Sequence, residues 1–322
     1  MTNPQPHGHH DARVAVILPC FNEEAAIAEV VAAFRRALPR ADIYVYDNAS
    51  TDGTAAAARA ASAIVRTETM KGKGNAVRRA FADIDADIYV MADGDGTYDA
   101  ASAPAMIEAM EREAVDMVVG VRAHSGDAAF RPGHVVGNRA FSFLFRRLFR
   151  FEFADILSGY RVLSRRFVKS FPSTSKGFEI ELEISTHAAL LRAPIRELQT
   201  NYVARAEGGA SKLNTWLDGW RILRGMMTFL RLHRPLFVFG TISVLGAFVS
   251  IVLAAPLLVE YLSTGLVPRL PTAILAASIM LAAILVFFVG VILDAQARYF
   301  AETKRLVYLQ IAPPPAKAGR EE

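Results

Sequence analysis

Two runs near the C-terminus constrain this chain more than anything else in it: Leu236–Val259 and Ala273–Leu293 carry no charged residue. Each exceeds the roughly 20 residues that a helix needs to cross the hydrocarbon core of a bilayer. Two such runs in succession, joined by a short link containing Pro and Gly, predict a transmembrane hairpin rather than a buried helix of a water-soluble protein. Arg221, Arg224, Arg231 and Arg234 precede the first run, Arg298, Lys304 and Arg305 follow the second, and the link carries only Arg269. Basic residues stay on the cytoplasmic side, so both ends of the hairpin, and everything N-terminal to it, are expected in the cytoplasm.

The remainder reads as globular. Hydrophobic residues make up 52% of the 322-residue chain and charged residues 21%, which excludes bulk disorder. A formal net charge of +4 is too mild to argue for nucleic acid, and no nucleic-acid partner is expected. Cys20 is the only cysteine, so no internal disulfide forms, as in a reducing compartment. Residues 1–12 form a polar tail in which His7, His9 and His10 are expected to be solvated rather than to bind metal. No apolar signal-peptide core precedes the first strand-like run.

Residues 12–205 alternate between strand and helix patterns. Val14–Leu18, Ile43–Tyr46, Ile64–Arg66, Ile88–Ala92 and Met117–Val121 read as short buried strands, with helices over Glu23–Leu38, after Asp52-Gly53-Thr54, and over Asn75–Ile84. That alternation predicts an α/β fold with a mostly parallel sheet covered on both faces. Ligands of such sheets bind beyond the carboxyl ends of the strands. The chemistry-bearing residues fall at those ends.

The first strand runs into Pro19-Cys20-Phe21-Asn22-Glu23-Glu24 and the second into Asp47-Asn48-Ala49-Ser50-Thr51-Asp52. These acids and amides can accept hydrogen bonds from a base or ribose, although Asn22 and Asp52 also suit helix capping. The fourth strand ends in Asp93-Gly94-Asp95-Gly96-Thr97, a pair of carboxylates with the hard-oxygen character that suits Mg²⁺ or Mn²⁺ beside a diphosphate. Lys71-Gly72-Lys73-Gly74 opens a helix, where backbone amides and Lys73 can meet a donor phosphate, or else form a solvated basic turn.

In this order, Val-Ile-Leu-Pro-Cys-Phe-Asn-Glu-Glu, Asp-Asn-Ala-Ser-Thr-Asp-Gly-Thr, Lys-Gly-Lys-Gly-Asn-Ala and Asp-Gly-Asp resemble the signatures of family 2 glycosyltransferases. Gly137-Asn138-Arg139, Asp155-Ile-Leu-Ser-Gly-Tyr-Arg161 and Gly208-Gly-Ala-Ser-Lys-Leu213 resemble the polyprenyl-phosphate branch, with its dolichyl-phosphate mannose synthases and undecaprenyl-phosphate glucosyltransferases. The resemblance spans residues 14–213 and implies a GT-A nucleotide-binding fold that transfers a hexose, with inversion, from a UDP- or GDP-linked sugar to a polyprenyl phosphate. It implies that Pro19, Phe21 and Glu23 contact the nucleotide, that Asp47 lies near base or ribose, and that Asp93 and Asp95 hold the metal. Three positions depart from it: Phe21 stands for Tyr, Asn48 for the second acid of an Asp-Asp pair, and Thr97 for a metal-contacting Gln.

Arg131 and Arg139 match phosphate oxygens bidentately and are assigned, with Ser158, Arg205 and Lys212, to the acceptor phosphate. His134 between them is read as loop surface. Asp155 is a candidate base or acceptor-site residue, or else orients Arg139 or Arg161. Of Glu179, Glu181 and Glu183, one is a candidate to order a basic residue of the site, against a default of exposed helix charge. Phe141, Phe143, Phe145, Phe149, Phe151 and Phe153, interleaved with arginines, suit either headgroup-level contact or the core.

The expected organisation is a tail over 1–12, a GT-A domain over 13–212, an amphipathic interfacial helix over 213–235, spans near 236–259 and 273–293, and a cytoplasmic tail over 296–322. A homo-oligomer is compatible with it. A processive polysaccharide synthase is the rival enzyme, but its Gln-x-x-Arg-Trp motif and additional spans are missing from the sequence. A non-catalytic membrane scaffold is the rival from another class, and Asp93, Asp95 and Asp155 argue against it.

Overall fold

The computed structural model describes residues 12–123, 153–173, 177, 179–202, 230–232 and 234–314. They fall into two compact units, one of Met1–Lys212 with Lys304–Glu322 and one of Leu213–Thr303.

In the first unit β1 (Val14–Cys20), β2 (Asp42–Asp47), β3 (Ile64–Thr67), β4 (Ile88–Met91), β5 (Met117–Ala123), β6 (Arg161–Ser164) and β7 (Ile195–Asn201) form one sheet in the order β3-β2-β1-β4-β6-β5-β7. Pairs β1–β2, β1–β4, β2–β3 and β5–β7 are parallel, and only β6 runs antiparallel, to β4 and β5. The mostly parallel sheet is thus as expected.

Its order reverses at β1, which pairs with β2 on one side and with β4 on the other. The crevice of such a sheet opens beyond the carboxyl ends of the strands at that switch point. Here those ends deliver Phe21 and Asp93. Because β6 is antiparallel, its entry lies at the same edge, and the run Asp155–Tyr160 that leads into it comes beside Asp93.

Both faces of the sheet are covered. Val16 and Leu18 of β1 pack with Ile27, Val31 and Phe34 of α1 (Glu24–Ala37), which recur at helical spacing, and with Met106 and Met110 of α4 (Ala103–Glu113). Between these helices come α2 (Thr54–Ala60) and α3 (Lys73–Asp83), and α3 packs on β1 and β2 across the sheet. Ala15 and Ile17 are as fully buried as their neighbours. The helices α5 (Arg165–Lys169) and α6 (Ile180–Leu191) also belong to this unit.

On α6, His187 is buried against the rings of Phe167 and Phe171, with Nε2 3.1 Å from Ser170 Oγ and Nδ1 without a hydrogen-bond partner among the described residues. Burial, with a smaller push from Lys304, takes its pKa down to about 3. Below its ordinary value near 6.5 the unfolded chain takes up a proton that the folded protein refuses. His187 therefore costs stability as pH falls from about 6.5 towards 3, at up to ~1.4 kcal/mol per pH unit. Denaturant melts at pH 7 and pH 5 are expected to show a smaller acid-induced loss in His187→Gln than in the parent.

The second unit is built on α7 (Pro235–Thr264) and α8 (Leu270–Leu309), 30 and 40 residues long. At 1.5 Å per residue they extend about 45 and about 60 Å. Both are long and apolar enough to cross a membrane, and only 17% of each apolar window is buried, unlike the core helix of a soluble protein. Ser243 Oγ donates to the Ala283 carbonyl and Ser250 Oγ to that of Ala276, each at 2.7 Å. One number rises by seven as the other falls by seven, so the helices are antiparallel neighbours. At Gly290 a Cβ would lie 2.8 Å from that of Phe239, so only glycine permits this approach. Arg269 in the link pairs with Glu260 at 3.5 Å.

Helix α8 continues past the apolar run, so 296–309, expected only as a tail, is helical. Its end, from Lys304, belongs to the first unit. There Tyr308 donates to Asp116 at 2.5 Å. Of the aromatic series 141–153 only Phe153 is described, and it is buried in the first unit. The expected interfacial helix lies outside the described residues up to position 229.

Candidate active site

After β1 the chain turns through Phe21 and Asn22, the latter in the left-handed region at φ 58°. The turn is zipped to the one after β2. Asn22 N donates to Ser50 Oγ at 3.0 Å, Thr51 N to Asn22 Oδ1 at 2.8 Å, Glu23 N to Thr54 Oγ1 at 2.8 Å, and Gly53 N to Glu24 Oε2 at 2.8 Å. Asp52 accepts from Thr54 N at 3.0 Å two residues on, while the N-cap position of α2 is taken by Gly53. Pro19 and Asp47 are buried at the ends of their strands, Asp47 accepting from Ser50 N at 3.3 Å. Phe21 stays 41% exposed, with the Lys71 ammonium 5.4 Å from its ring centroid, so an aromatic face and a cation stand together at the rim. Burial pushes the Cys20 thiol well up, with help from Glu23 and Asp93, which makes it inert at neutral pH.

Asn48 explains its own departure from the Asp-Asp pattern. It is buried, its amide donates to the carbonyls of Glu68 (3.2 Å) and Met70 (2.7 Å), and its oxygen accepts from Gly72 N (2.5 Å). One side chain thus fixes the loop that carries Lys71 and Lys73. An aspartate would turn an acceptor on two carbonyls. Asn48→Asp is expected to cost about 1–3 kcal/mol in a urea melt and to raise the donor KM by loosening the lysines.

Lys73 begins α3 and reaches into the site, where Nζ contacts Asp93 Oδ1 and lies 2.5 Å from Glu181 Oε1. Its side chain is 9% exposed and that of Glu181 6%. The two acids outweigh burial and hold the Lys73 ammonium well above its ordinary range, so it stays charged. Glu181 is thus a member of the acidic trio that orders a basic residue of the site, while Glu179 is exposed.

Gly159 closes over this cluster. Its N–H donates to Tyr98 Oη at 2.9 Å, and a Cβ there would come within 3.1 Å of Asp93 Oδ2, 3.2 Å of Lys73 Nζ and 3.3 Å of Tyr98 Oη. Asp95 accepts at one oxygen from Thr97 N (3.1 Å) and Thr97 Oγ1 (2.7 Å), so Thr97 orients the second carboxylate. Among the described residues no group of three or more His, Cys, Asp or Glu is gathered to hold a metal by protein alone.

Asp155 is buried and receives Arg122 bidentately, Nε at 2.6 Å and Nη2 at 2.8 Å. Among the described residues its arginine partner is thus Arg122, at the end of β5, rather than Arg161; the Arg122 guanidinium also lies 5.5 Å from the Tyr202 ring centroid, and Arg139 lies outside the described residues. Arg161 is fully buried and clamps the turn before β6, donating to the carbonyls of Ser158 (2.9 Å) and Ile156 (2.8 Å) and to Ser185 Oγ (2.8 Å). Burial lowers its pKa to about 10.

Ser158 is corrected by the structure. It has no exposed surface and its hydroxyl donates to the Gly120 carbonyl at 2.6 Å, so it secures the turn and is not presented to a phosphate. Arg131, His134, Arg139, Arg205 and Lys212 lie outside the described residues. Arg122 and Tyr98 were not singled out as site residues from sequence, and Glu181 was named only as one of three candidates to order a basic residue. Only Glu181 had a signal: it sits three and four residues before Ile184 and Ser185, on the buried stripe of its helix.

The sequence matches the glycosyl transferase family 2 profile over residues 15–171. Glycosyltransferase AglJ of Haloferax volcanii is 33% identical over 287 residues, covering 87% of this chain and 92% of the relative. The undecaprenyl-phosphate mannosyltransferase of Micrococcus luteus is 28% identical, covering 64% of this chain and 90% of that protein. Glucosyl-3-phosphoglycerate synthase from Mycobacterium tuberculosis, solved with Mn²⁺ and UDP-glucose, superposes with a TM-score of 0.55 at 22% identity, over 68% of this chain and 79% of its own. That likeness is one of fold, the GT-A fold. With a switch-point crevice edged by paired aspartates and a relative matched over nearly its whole length, the chain belongs to glycosyl transferase family 2 and is a glycosyltransferase.

Proposed function

We propose that this glycosyltransferase moves a hexose from a UDP- or GDP-linked donor onto a polyprenyl phosphate at the cytoplasmic face of a membrane, inverting the anomeric carbon. The observation that carries the reading is the pairing, in one chain, of Asp93 and Asp95 at a switch-point crevice with two long, largely uncovered apolar helices. By their names the Haloferax relative supports glycosyl transfer and the Micrococcus relative an undecaprenyl-phosphate acceptor, and the mycobacterial structure supports a nucleotide-sugar with a divalent ion.

The site fits such an ion. Asp93 and Asp95 are hard oxygen donors, and the Lys73 ammonium already stands as a cation against Asp93. Mg²⁺ characteristically takes one or two carboxylates plus substrate phosphates, so Mg²⁺ or Mn²⁺ on this pair needs no further protein cage. Bound there, it would neutralise charge on the departing nucleoside diphosphate.

The chain's own residues do the rest. Phe21, Pro19, Glu23 and Asp47 receive the nucleoside end, and Lys71 and Lys73 meet the diphosphate. Arg131, Arg139, Arg205 and Lys212 are proposed to hold the acceptor phosphate in line with the anomeric carbon. One phosphate oxygen forms the new bond to that carbon as the bond to the donor diphosphate breaks, and the electron pair leaves with the diphosphate. With a second pKa near ~6 the acceptor is already largely dianionic at neutral pH. Asp155, clasped by Arg122, is accordingly assigned to steering rather than to proton removal.

From the basic flanks the catalytic unit and both chain ends are proposed to lie in the cytoplasm, with 213–235 along the bilayer surface. Membranes containing the protein, incubated with radiolabelled nucleotide-sugars, are expected to pass label from one or two donors into organic-extractable lipid. Label that stays wholly water-soluble with every UDP- and GDP-sugar would defeat the proposal.

A further inference from the structure

We infer that Lys73 is an internal counter-cation that holds Asp93 until the divalent ion arrives, and that Glu181 is the positioning residue that keeps Lys73 when Asp93 is given up. The inference rests on the assignment of Asp93 and Asp95 to a metal and goes beyond it. Lys73 bridges two acids brought together from far apart in the chain, Asp93 after β4 and Glu181 near the start of α6, the latter 108 positions from Lys73 itself. Asp93 is the most exposed of the three, at 31% of its side chain against 9% for Lys73 and 6% for Glu181. An incoming ion therefore meets Asp93 first, while the Lys73–Glu181 contact lies deeper.

Charge supports the same order of events. Asp93, Asp95 and Glu181 with Lys73 give three negative charges and one positive, which one divalent ion balances. A buried ammonium stripped of every carboxylate is strongly disfavoured. Glu181 removes that obstacle: Lys73 leaves Asp93 without losing its counter-ion, and turns towards the diphosphate that comes with the metal. Gly159 leaves the space for this movement, since a Cβ there would stand within 3.2 Å of Nζ.

The test uses full-length protein in detergent micelles and Mn²⁺ alone, followed through the electron-paramagnetic signal of the free ion, with no nucleotide and no turnover. Glu181→Gln should weaken Mn²⁺ binding about tenfold, because the displaced lysine then has no partner. The double variant Lys73→Met/Glu181→Gln carries the same site charge as the parent, so Coulomb effects cancel and the competition for Asp93 is what changes. It should bind Mn²⁺ about tenfold more tightly than the parent. It should also bind UDP less well when Mn²⁺ is present.

A double variant that binds Mn²⁺ no better than the parent overturns the inference, since Glu181 would then be acting as a ligand or as a structural ion pair only. Replacing a buried ion pair by residues of similar volume is often neutral for folding. Should the double variant nevertheless lack a cooperative unfolding transition, Lys73→Gln/Glu181→Gln serves with the same two outcomes. Asp95→Asn separates the levels: Mn²⁺ binding that is insensitive to it overturns the metal assignment itself, whereas binding lost in Asp95→Asn but indifferent to Lys73 and Glu181 overturns this inference alone.

Discussion

Asp95→Ala is expected to lower sugar transfer by about 10³-fold or more while leaving the protein folded and membrane-bound, because loss of metal charge stabilisation costs several kcal/mol in the transition state. The fold should tolerate the change. Asp95 is only partly buried, and the bonds it accepts from Thr97 N and Oγ1 lie within a single turn. Breaking those bonds costs about 1–3 kcal/mol, a local effect at the sheet edge. Excess chelator should silence the parent in the same way, and added Mn²⁺ or Mg²⁺ should restore the parent but not the variant. The assay is initial rate per folded protein, with folding checked by the unfolding transition.

The second large effect lies at the opposite edge of the sheet. Asp116 stands just before β5, has no exposed surface, and collects four donors: Ser164 Oγ at 2.7 Å, Arg166 Nε at 2.5 Å, Arg166 Nη2 at 2.6 Å and Tyr308 Oη at 2.5 Å. The Tyr308 ring also lies under the Arg166 guanidinium, 4.6 Å from centroid. Removing one partner of a buried ionic cluster leaves the other charge uncompensated, typically at about 3–5 kcal/mol. Asp116→Ala should therefore lose that much in a denaturant melt and free the C-terminal segment for tryptic cleavage at Lys304–Arg305. Tyr308→Phe, which removes a single hydroxyl, should cost about 1–3 kcal/mol. Asp116 is remote from the crevice, so activity per folded molecule should hold in both.

These two aspartates mark what was legible in the sequence and what was not. Asp95 could be read directly, because an apolar strand pattern, Ile88–Ala92, ends in it and parallel sheets put their ligands at strand ends. Asp116 could not, because its partners lie 48, 50 and 192 positions away and no local pattern announces them. The antiparallel strand β6 was hidden for a similar reason. It is four residues long and begins with Arg161, whose burial depends on carbonyls in the preceding turn. Strand β7 alternates Arg196, Glu197 and Gln199 with apolar residues and is half exposed, which blunts its signal.

At the site itself, motif order named Asp93, Asp95, Lys73 and Asp155 but not how they are joined. The pairing of Asp155 with Arg122 and of Lys73 with Glu181 follows from strand and helix placement, and only the structure supplies it. Ser158 shows the reverse failure. A polar residue inside a functional motif can be there to satisfy a carbonyl, and burial distinguishes the two uses.

In the proposed reaction the sugar is attacked by a phosphate carried on a membrane lipid. This step is tested most directly with purified full-length protein in liposomes, given the labelled donor that the membrane assay identifies, Mn²⁺, and either a polyprenyl phosphate or the matching polyprenol without its phosphate. Label is expected in the lipid fraction with the phosphate and none above background with the alcohol. Equal labelling of both lipids, or transfer only to a water-soluble acceptor such as a phosphoglycerate, would contradict the proposed reaction.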